Sequence, residues 1–328
     1  MKRRDFLWVF AAGAAIKAGL ATGQAPRVRR LGILSLIPFS DPPSPERQAF
    51  LQGLISLGYV PGKNLDIVYA SAENAIEFLD DIARDLVARR PEVIAASGAI
   101  SLQALQRATR DIPIVMLAVG DPVGMKLVKS LSRPGGNITG SSFISSELAA
   151  KRVQLLQEVM PGGRRLAVLV DTRNANARLE SAAVVAAAHK LGLTPFALRY
   201  DDDRSLTAAL HRAAAGHADL LYAIFEGTIM ARRRHEIAAF ALQRKWPSIA
   251  GWSGIAEAGC LMSYAPDFPE LFRRGASFVQ RILDGAKPAD LPVEQASRFE
   301  LAVNLKTARE LGLKFPQAIL VRADRVIE

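Results

Sequence analysis

Apolar positions along this chain follow two alternating patterns, short unbroken runs and longer stretches in which they return every three or four residues. Leu31-Gly32-Ile33-Leu34-Ser35-Leu36, Val93-Ile94-Ala95-Ala96 and Ile114-Val115-Met116-Leu117 are short runs. Unbroken runs of this kind suit strands buried on both faces of a parallel sheet. Leu65 to Ala70 predicts a further strand. Between the runs, Ser44 can cap a helix that starts at Pro45, carries Phe50, Leu54 and Leu57 at helical spacing and stops at Gly58. Asn74 and Glu77 predict a capping box for a helix whose apolar face holds Ile76, Leu79, Ala83, Leu86 and Val87. Leu102 and Leu105 mark the next helix.

The alternation breaks at Arg133-Pro134-Gly135-Gly136-Asn137, and Ser141 to Ser145 reads as a polar hinge. A second series then opens with a helix through Leu148, Leu155 and Leu156, followed by strands at 166–170, 194–198 and 219–224. Cys260 to Tyr264 predicts one more strand, and a helix follows with Phe272, Phe278, Val279 and Ile282 on one side. Asp290 to Glu294 is an extended linker, Phe299 to Asn304 returns to a sheet, and Lys306 to Leu311 is helical. Strands alternating with helices of this length imply right-handed crossovers and sheets covered on both faces. The expected fold is therefore α/β, with two Rossmann-like lobes, a central cleft and multiple hinge crossings. Residues 26–142 with about 262–295 form the expected first lobe, and 143–261 with about 296–328 the second.

The first 25 residues stand apart from this pattern. Met1-Lys2-Arg3-Arg4-Asp5-Phe6-Leu7 precedes an alanine-rich apolar run that ends in Gly23-Gln24-Ala25, the layout of an export leader with cleavage expected near Ala25. The paired arginines resemble a twin-arginine leader, and a general secretory leader would lead to the same compartment. Lys17 interrupts the run and argues against a permanent membrane span. Of the formal charge of +10, the leader carries +3, from Lys2, Arg3, Arg4 and Lys17 against Asp5, which leaves +7 scattered over the mature chain. Arg232-Arg233-Arg234 is the densest basic piece and reads as a solvated helix face, so nucleic-acid binding has little support. Cys260, the only cysteine, cannot form an internal disulfide and reads as a packed thiol. With no cysteine after the leader to accept a lipid, the mature protein is expected free and soluble in the periplasm, as a monomer without cofactor or metal.

In open parallel sheets, ligands gather beyond the carboxyl ends of the strands, where helix N-termini present spare backbone donors. That rule selects Ser35, Ser97, Gly98 and Asp121 in the first lobe, and Asp171, Asn174, Asn176, Glu226, Thr228, Trp252 and Ser253 in the second. Each has an ordinary structural reading beside the functional one. Ser97 and Gly98 either turn the chain or hold a carboxylate, and Asp121 before Pro122 either caps a turn or accepts a ligand amine. Asn174 and Asn176 suit a loop fold or polar ligand groups, and Glu226 is a solvated acid or an ammonium partner. Trp252 either packs or stacks on a planar ligand.

Enzyme signatures are thin. The chain lacks Gly-x-Gly-x-x-Gly, Gly-x-Ser-x-Gly and Walker sequences, and its four histidines, at 189, 211, 217 and 235, lack zinc spacing. Gly120-Asp-Pro-Val-Gly124, Arg133-Pro-Gly-Gly-Asn-Ile-Thr-Gly140, Leu261-Met-Ser-Tyr264, Lys287 to Glu294, Asn304 to Ala308 and Leu320 to Asp324 together resemble the TrpX-like, or ABC-substrate-binding, family of extracytoplasmic solute-binding proteins. The family usually has glycine where this chain has Cys260 and Ala265. The resemblance implies a type I periplasmic-binding-protein-like fold that delivers a small-molecule ligand to an ABC permease in the inner membrane. An aromatic amino acid is one implied ligand class, with branched aliphatic, aromatic carboxylate and nucleoside ligands open. A sensor subunit for a membrane signalling protein and a periplasmic enzyme are the alternative functions.

Overall fold

A computed structural model describes residues 28–225 and 228–328, so the expected leader lies outside the described residues. In the first half of the chain, strands β1 (Arg29–Ser35), β2 (Leu65–Ser71), β3 (Val93–Ala96), β4 (Ile114–Val119) and β5 (Ile138–Ser142) alternate with helices α1 (Pro45–Ser56), α2 (Leu79–Ala88) and α3 (Ala99–Ala108). In the second half, α4 (Ser145–Val159), β6 (Arg165–Asp171), α5 (Ala175–Lys190), β7 (Thr194–Tyr200), α6 (Asp203–Ala215) and β8 (Leu220–Ala223) lead to α7 (Thr228–Arg232) and α8 (Arg234–Gln243). β9 (Ser248–Ala250), α9 (Ser253–Glu257), β10 (Met262–Pro266), α10 (Phe268–Leu283), β11 (Glu294–Gln295), β12 (Phe299–Asn304), α11 (Leu305–Leu311), α12 (Gln317–Arg322) and β13 (Arg325–Ile327) complete the order.

Two sheets result. The first has six parallel strands in the order β11-β5-β4-β3-β1-β2, and the second has seven in the order β13-β12-β10-β9-β8-β6-β7, where only the β10–β12 pair is antiparallel. Side-chain alternation along the strands divides each lobe into two cores. Leu31 and Ile33 of β1, Val93 and Ala95 of β3 and Val115 of β4 face α1 and α10. Leu34, Ile94, Ala96, Ile114 and Met116 face α2 and α3. In the second sheet, Leu166, Val168 and Val170 of β6 join α4 and α5, while Ala167 and Leu169 join α6 and α8. The unbroken apolar runs are thus explained: both faces of these strands are covered.

Three predicted features are corrected. Residues 262–266, expected with the first lobe, belong to the second sheet, because Met262 pairs with Val303 of β12 and with Ile249 of β9. The expected polar hinge at 141–145 is in part the buried strand β5. Two of its hydroxyls are satisfied in the interior, since Thr139 Oγ1 donates to the Leu291 carbonyl at 2.7 Å and Ser142 Oγ bonds the Gly120 carbonyl at 3.4 Å, whereas Ser141 Oγ is buried without a partner among the described residues. Asn74 has φ of 71° and therefore cannot cap a helix from the extended region; α2 starts only at Leu79, after a 3₁₀ turn over Ile76–Phe78.

The chain passes between the sheets three times, after β5, after β10 and after β11. These passages lie side by side, with Ala296 N donating to Ser142 O at 2.7 Å and Asp267 N to Arg298 O at 3.1 Å. They share an apolar core of Ala118, Phe143, Leu148 and Leu271, packed by Phe268, Phe272 and Phe299. Among the described residues, no helix is long and apolar enough to cross a membrane.

One ion pair is fully buried in the second lobe. Arg152 of α4 donates to Glu180 Oε1 of α5 at 2.7 Å and, through Nε, to the Tyr264 carbonyl of β10 at 2.7 Å. Tyr222 of β8 donates to the same Glu180 oxygen at 2.7 Å, and burial next to this carboxylate pushes its hydroxyl well above the usual range. Removing one member leaves the other charge uncompensated, which costs about 3–5 kcal/mol. Glu180→Leu is therefore expected to destabilise the protein more than the double change Arg152→Met with Glu180→Leu, measured by urea unfolding followed by circular dichroism.

Candidate functional site

The site is assembled at the carboxyl ends of the strands. Leu34 of β1 stands opposite Ala96 of β3 in the parallel register, so Ser35 and Ser97 emerge as neighbours from adjacent strands. Ser35 Oγ donates to Ile37 O at 2.7 Å, and Ser71 Oγ donates to the same carbonyl at 3.0 Å, which folds the 36–44 loop over the strand ends. Ser44 then caps α1 by accepting from Arg47 N at 3.3 Å. Gly98 caps α3, its own N–H bonded to Ala118 O at 3.3 Å, and the first N–H groups of that helix have no intrahelical partner.

Above these ends lies a cavity of about 410 Å³ bounded by both lobes, large enough for a small organic ligand. Its walls are mainly apolar and include seven aromatic rings: Phe39 and Phe50 from the first lobe, Phe143, Phe268 and Phe272 at the crossings, and Phe225 and Trp252 from the second lobe. The rings form a chain. Phe143 meets Phe268 edge-on with centroids 5.5 Å apart, Phe268 meets Phe225 at 6.2 Å, and Phe225 stacks on Trp252 at 4.6 Å with an interplanar angle of 17°. Arg234 lies over the Trp252 ring, 5.9 Å from its centroid. The polar lining includes Ser35, Ser44, Ser97, Ser101, Glu46 and Arg47.

Ser35, Ser97, Gly98 and Trp252 are thus brought together at the cavity. Asp121, Asp171, Asn174, Asn176 and Ser253, expected beside them, do not line it. Asp121 closes a turn by accepting from Gly124 N at 2.8 Å, and the buried Asp171 is paired with Arg173 at 2.6 Å. Asn174 caps α5 by accepting from Asn176 N at 2.9 Å, and Asn176 Nδ2 donates to Ser145 Oγ at 2.7 Å. Ser253 begins α9. Glu226 and the side chain of Thr228 lie outside the described residues.

Sequence reasoning missed Ser101, Arg47 and most of the aromatic wall. Phe39, Phe143 and Phe225 each follow a strand end, Phe39 and Phe225 in or beside loops that supplied polar candidates and Phe143 in the expected hinge, so an apolar residue after a strand end was the available signal. Phe50 and Phe272 recur with core positions of their helices, which concealed their cavity faces. Cys260 is buried, and desolvation pushes its thiol up to about 12, so it is no nucleophile at neutral pH. Among the described residues, no group of three or more His, Cys, Asp or Glu side chains could hold a metal ion.

The lobes also touch at α5, outside the cavity lining. Ala175 and Leu179 pack against the first-lobe core, and Asn176 lies so close to Gly120 that a Cβ there would come within 2.2 Å of its amide nitrogen. Two α/β lobes with a ligand-sized cavity between them have the architecture of a solute receptor, and residues 40–327 match the profile of the family described as ABC transporter substrate binding protein. The chain belongs to this family. A curated relative, the tyrosine-binding protein of Clostridioides difficile, is 28% identical over 269 residues, covering 82% of this chain and 76% of its own. The structure of a conserved domain protein from Vibrio cholerae superimposes with a TM-score of 0.85 at 30% identity, covering 92% of this chain and 100% of the other.

Two further substrate-binding structures differ in ligand state. The ABC domain from Streptococcus pneumonia in complex with L-Trp gives a TM-score of 0.84 at 26% identity, covering 91% of this chain and 99% of the other. The ligand-free, open structure of a Clostridium difficile substrate binding protein with adhesive properties gives 0.68, also at 26% identity, with 92% and 99% covered. At equal identity the lobes here match the ligand-bound arrangement better, in agreement with the contacts of α5.

Gly254 provides a direct test of the aromatic wall, since a Cβ at that position would lie 2.3 Å from the Trp252 ring. Gly254→Ala is expected to displace the indole from Phe225, and the near-ultraviolet circular dichroism of the stacked pair should fall while the far-ultraviolet signal stays unchanged.

Proposed function

We propose that this chain is the periplasmic solute-binding component of an ABC importer, and that it captures a small aromatic solute with a carboxylate, an aromatic amino acid or a related acid. The single observation that carries this reading is the cavity between the lobes, with its chain of aromatic rings beside the hydroxyl and amide donors of Ser97 to Ser101. Aromatic walls favour planar apolar bodies through burial and ring contacts. Helix N-terminal donors favour an anionic end. The relatives named for tyrosine and L-Trp support the same class.

The mechanism is non-covalent capture. A solute that touches Phe39 and Ser97 on one lobe and Trp252 on the other stabilises the closed arrangement relative to the open one, and only this differential affinity drives closure. The exported, unanchored, monomeric receptor then presents the outer faces of both lobes to an inner-membrane permease. Neither catalysis nor a cofactor is required.

A thermal-shift series with L-tyrosine, L-tryptophan and L-phenylalanine tests the reading. At a ligand concentration of about 100 times Kd, binding to the native state adds about 2.7 kcal/mol, so at least one of these amino acids, or its des-amino acid, is expected to raise the melting temperature by several degrees. No shift with any of them, alongside a clear shift with an aliphatic amino acid or a nucleoside, would overturn the aromatic assignment.

A further inference from the structure

Arg47 is placed where the helix end disfavours a cation. It occupies the first turn of α1, which runs Pro45-Glu46-Arg47 after the Ser44 cap. Unsatisfied N–H groups give that end of a helix a partial positive charge, which favours an acid and disfavours a cation. The neighbouring Glu46 suits the position for this reason. Arg47 does not, and among the described residues no carboxylate forms an ion pair with it; its guanidinium donates to the Ser40 carbonyl and lies over the Phe39 ring, 5.3 Å from the centroid. Phe39 is itself held edge-on by Tyr69, with centroids 5.0 Å apart. The cation is therefore fixed against an aromatic wall of the cavity while its charge has no counter-ion.

A second donor faces the same space. Ser101 is 2% exposed, lines the cavity, and its hydroxyl bonds none of the described residues. It belongs to the first turn of α3, while α1 and α3 leave neighbouring strands on opposite faces of the first sheet. Donors from two helices and a guanidinium thus border one apolar cavity. A buried donor such as the Ser101 hydroxyl is costly when unpaired, and a bound anion would satisfy it together with the half-buried Arg47 guanidinium.

We infer that Arg47 is a specificity-determining residue, which selects solutes bearing a carboxylate over uncharged solutes of the same shape. This rests on the reading that the cavity takes a small aromatic solute. The guanidinium pairs with the carboxylate, the Ser101 hydroxyl donates to it, and the aromatic body of the solute lies along Phe39 and Trp252. No bond is made or broken.

The test uses calorimetry on the mature protein with two probes that differ only in charge at one end, 3-(4-hydroxyphenyl)propionate and its primary amide. The acid is expected to bind at least tenfold more tightly than the amide. In Arg47→Met that preference should collapse toward one, with acid affinity falling at least tenfold further than amide affinity, and Arg47→Lys, which restores the charge, should recover part of it. A preference that persists in Arg47→Met, or a wild type that binds acid and amide equally, would overturn the assignment of Arg47 while leaving an aromatic receptor. Equal loss of both probes in Arg47→Met and Arg47→Lys would also overturn it and assign Arg47 to the structure of the loop. If neither probe, nor L-tyrosine, nor L-tryptophan binds the wild type, the aromatic-solute reading falls and the inference falls with it.

Discussion

The apolar core shared by the three passages between lobes is the constraint on which the rest depends. Phe143, Phe268 and Phe272 belong both to that core and to the cavity wall. The hinge and the floor of the site are therefore the same side chains. A solute resting on Phe143 and Phe268 bears on the residues about which the lobes must turn. Because packed interiors are dense and adopt discrete arrangements, filling this floor stabilises one lobe arrangement rather than bending the hinge by degrees.

Parallel strand polarity supplies the second half of the arrangement. It brings the Ser35, Ser97 and Trp252 loops to one side of the lobes and leaves helix N-termini pointing there. The same geometry exposes backbone donors and acceptors that need partners, and most polar side chains in these loops are consumed in meeting that need. Asp121, Asn174 and Ser44 each accept from a backbone N–H two or three residues onward. Charges that are buried are neutralised locally, as in Asp171 with Arg173 and Arg152 with Glu180. Ser35 and Ser44 face the cavity while serving local structure, whereas the Ser101 hydroxyl faces it without a partner among the described residues.

This division accounts for which expectations held. Unbroken runs such as Val93 to Ala96 revealed buried parallel strands because both faces of the sheet are covered, a condition that leaves its mark on every residue of the run. β5, the sequence Ile138-Thr-Gly-Ser-Ser142, carries no such mark. Two of its three hydroxyls, those of Thr139 and Ser142, are met in the interior by distant carbonyls, Leu291 and Gly120. The strand at Met262 was recognisable as a strand, but its sheet was not, since lobe membership follows from pairing with residues some forty positions away, Leu301 to Val303.

The site divides along the same line. That cavity-lining residues would come from the loops after β1, β3 and β9 follows from chain polarity, and Ser35, Ser97, Gly98 and Trp252 could be named from the one-dimensional pattern alone. The aromatic wall could not. Phe50 and Phe272 have the helical spacing of core residues, and only the relative placement of α1, α10 and the second lobe opens their faces to a cavity. Arg47 looked like one cation among many in a basic chain. Its significance lies in what surrounds it: Phe39 beneath the guanidinium, a cavity beside it, and no acid ion-paired with it among the described residues. Local periodicity and turn chemistry act through neighbours in the chain and so are written in it, whereas a cavity is a property of surfaces brought together by folding.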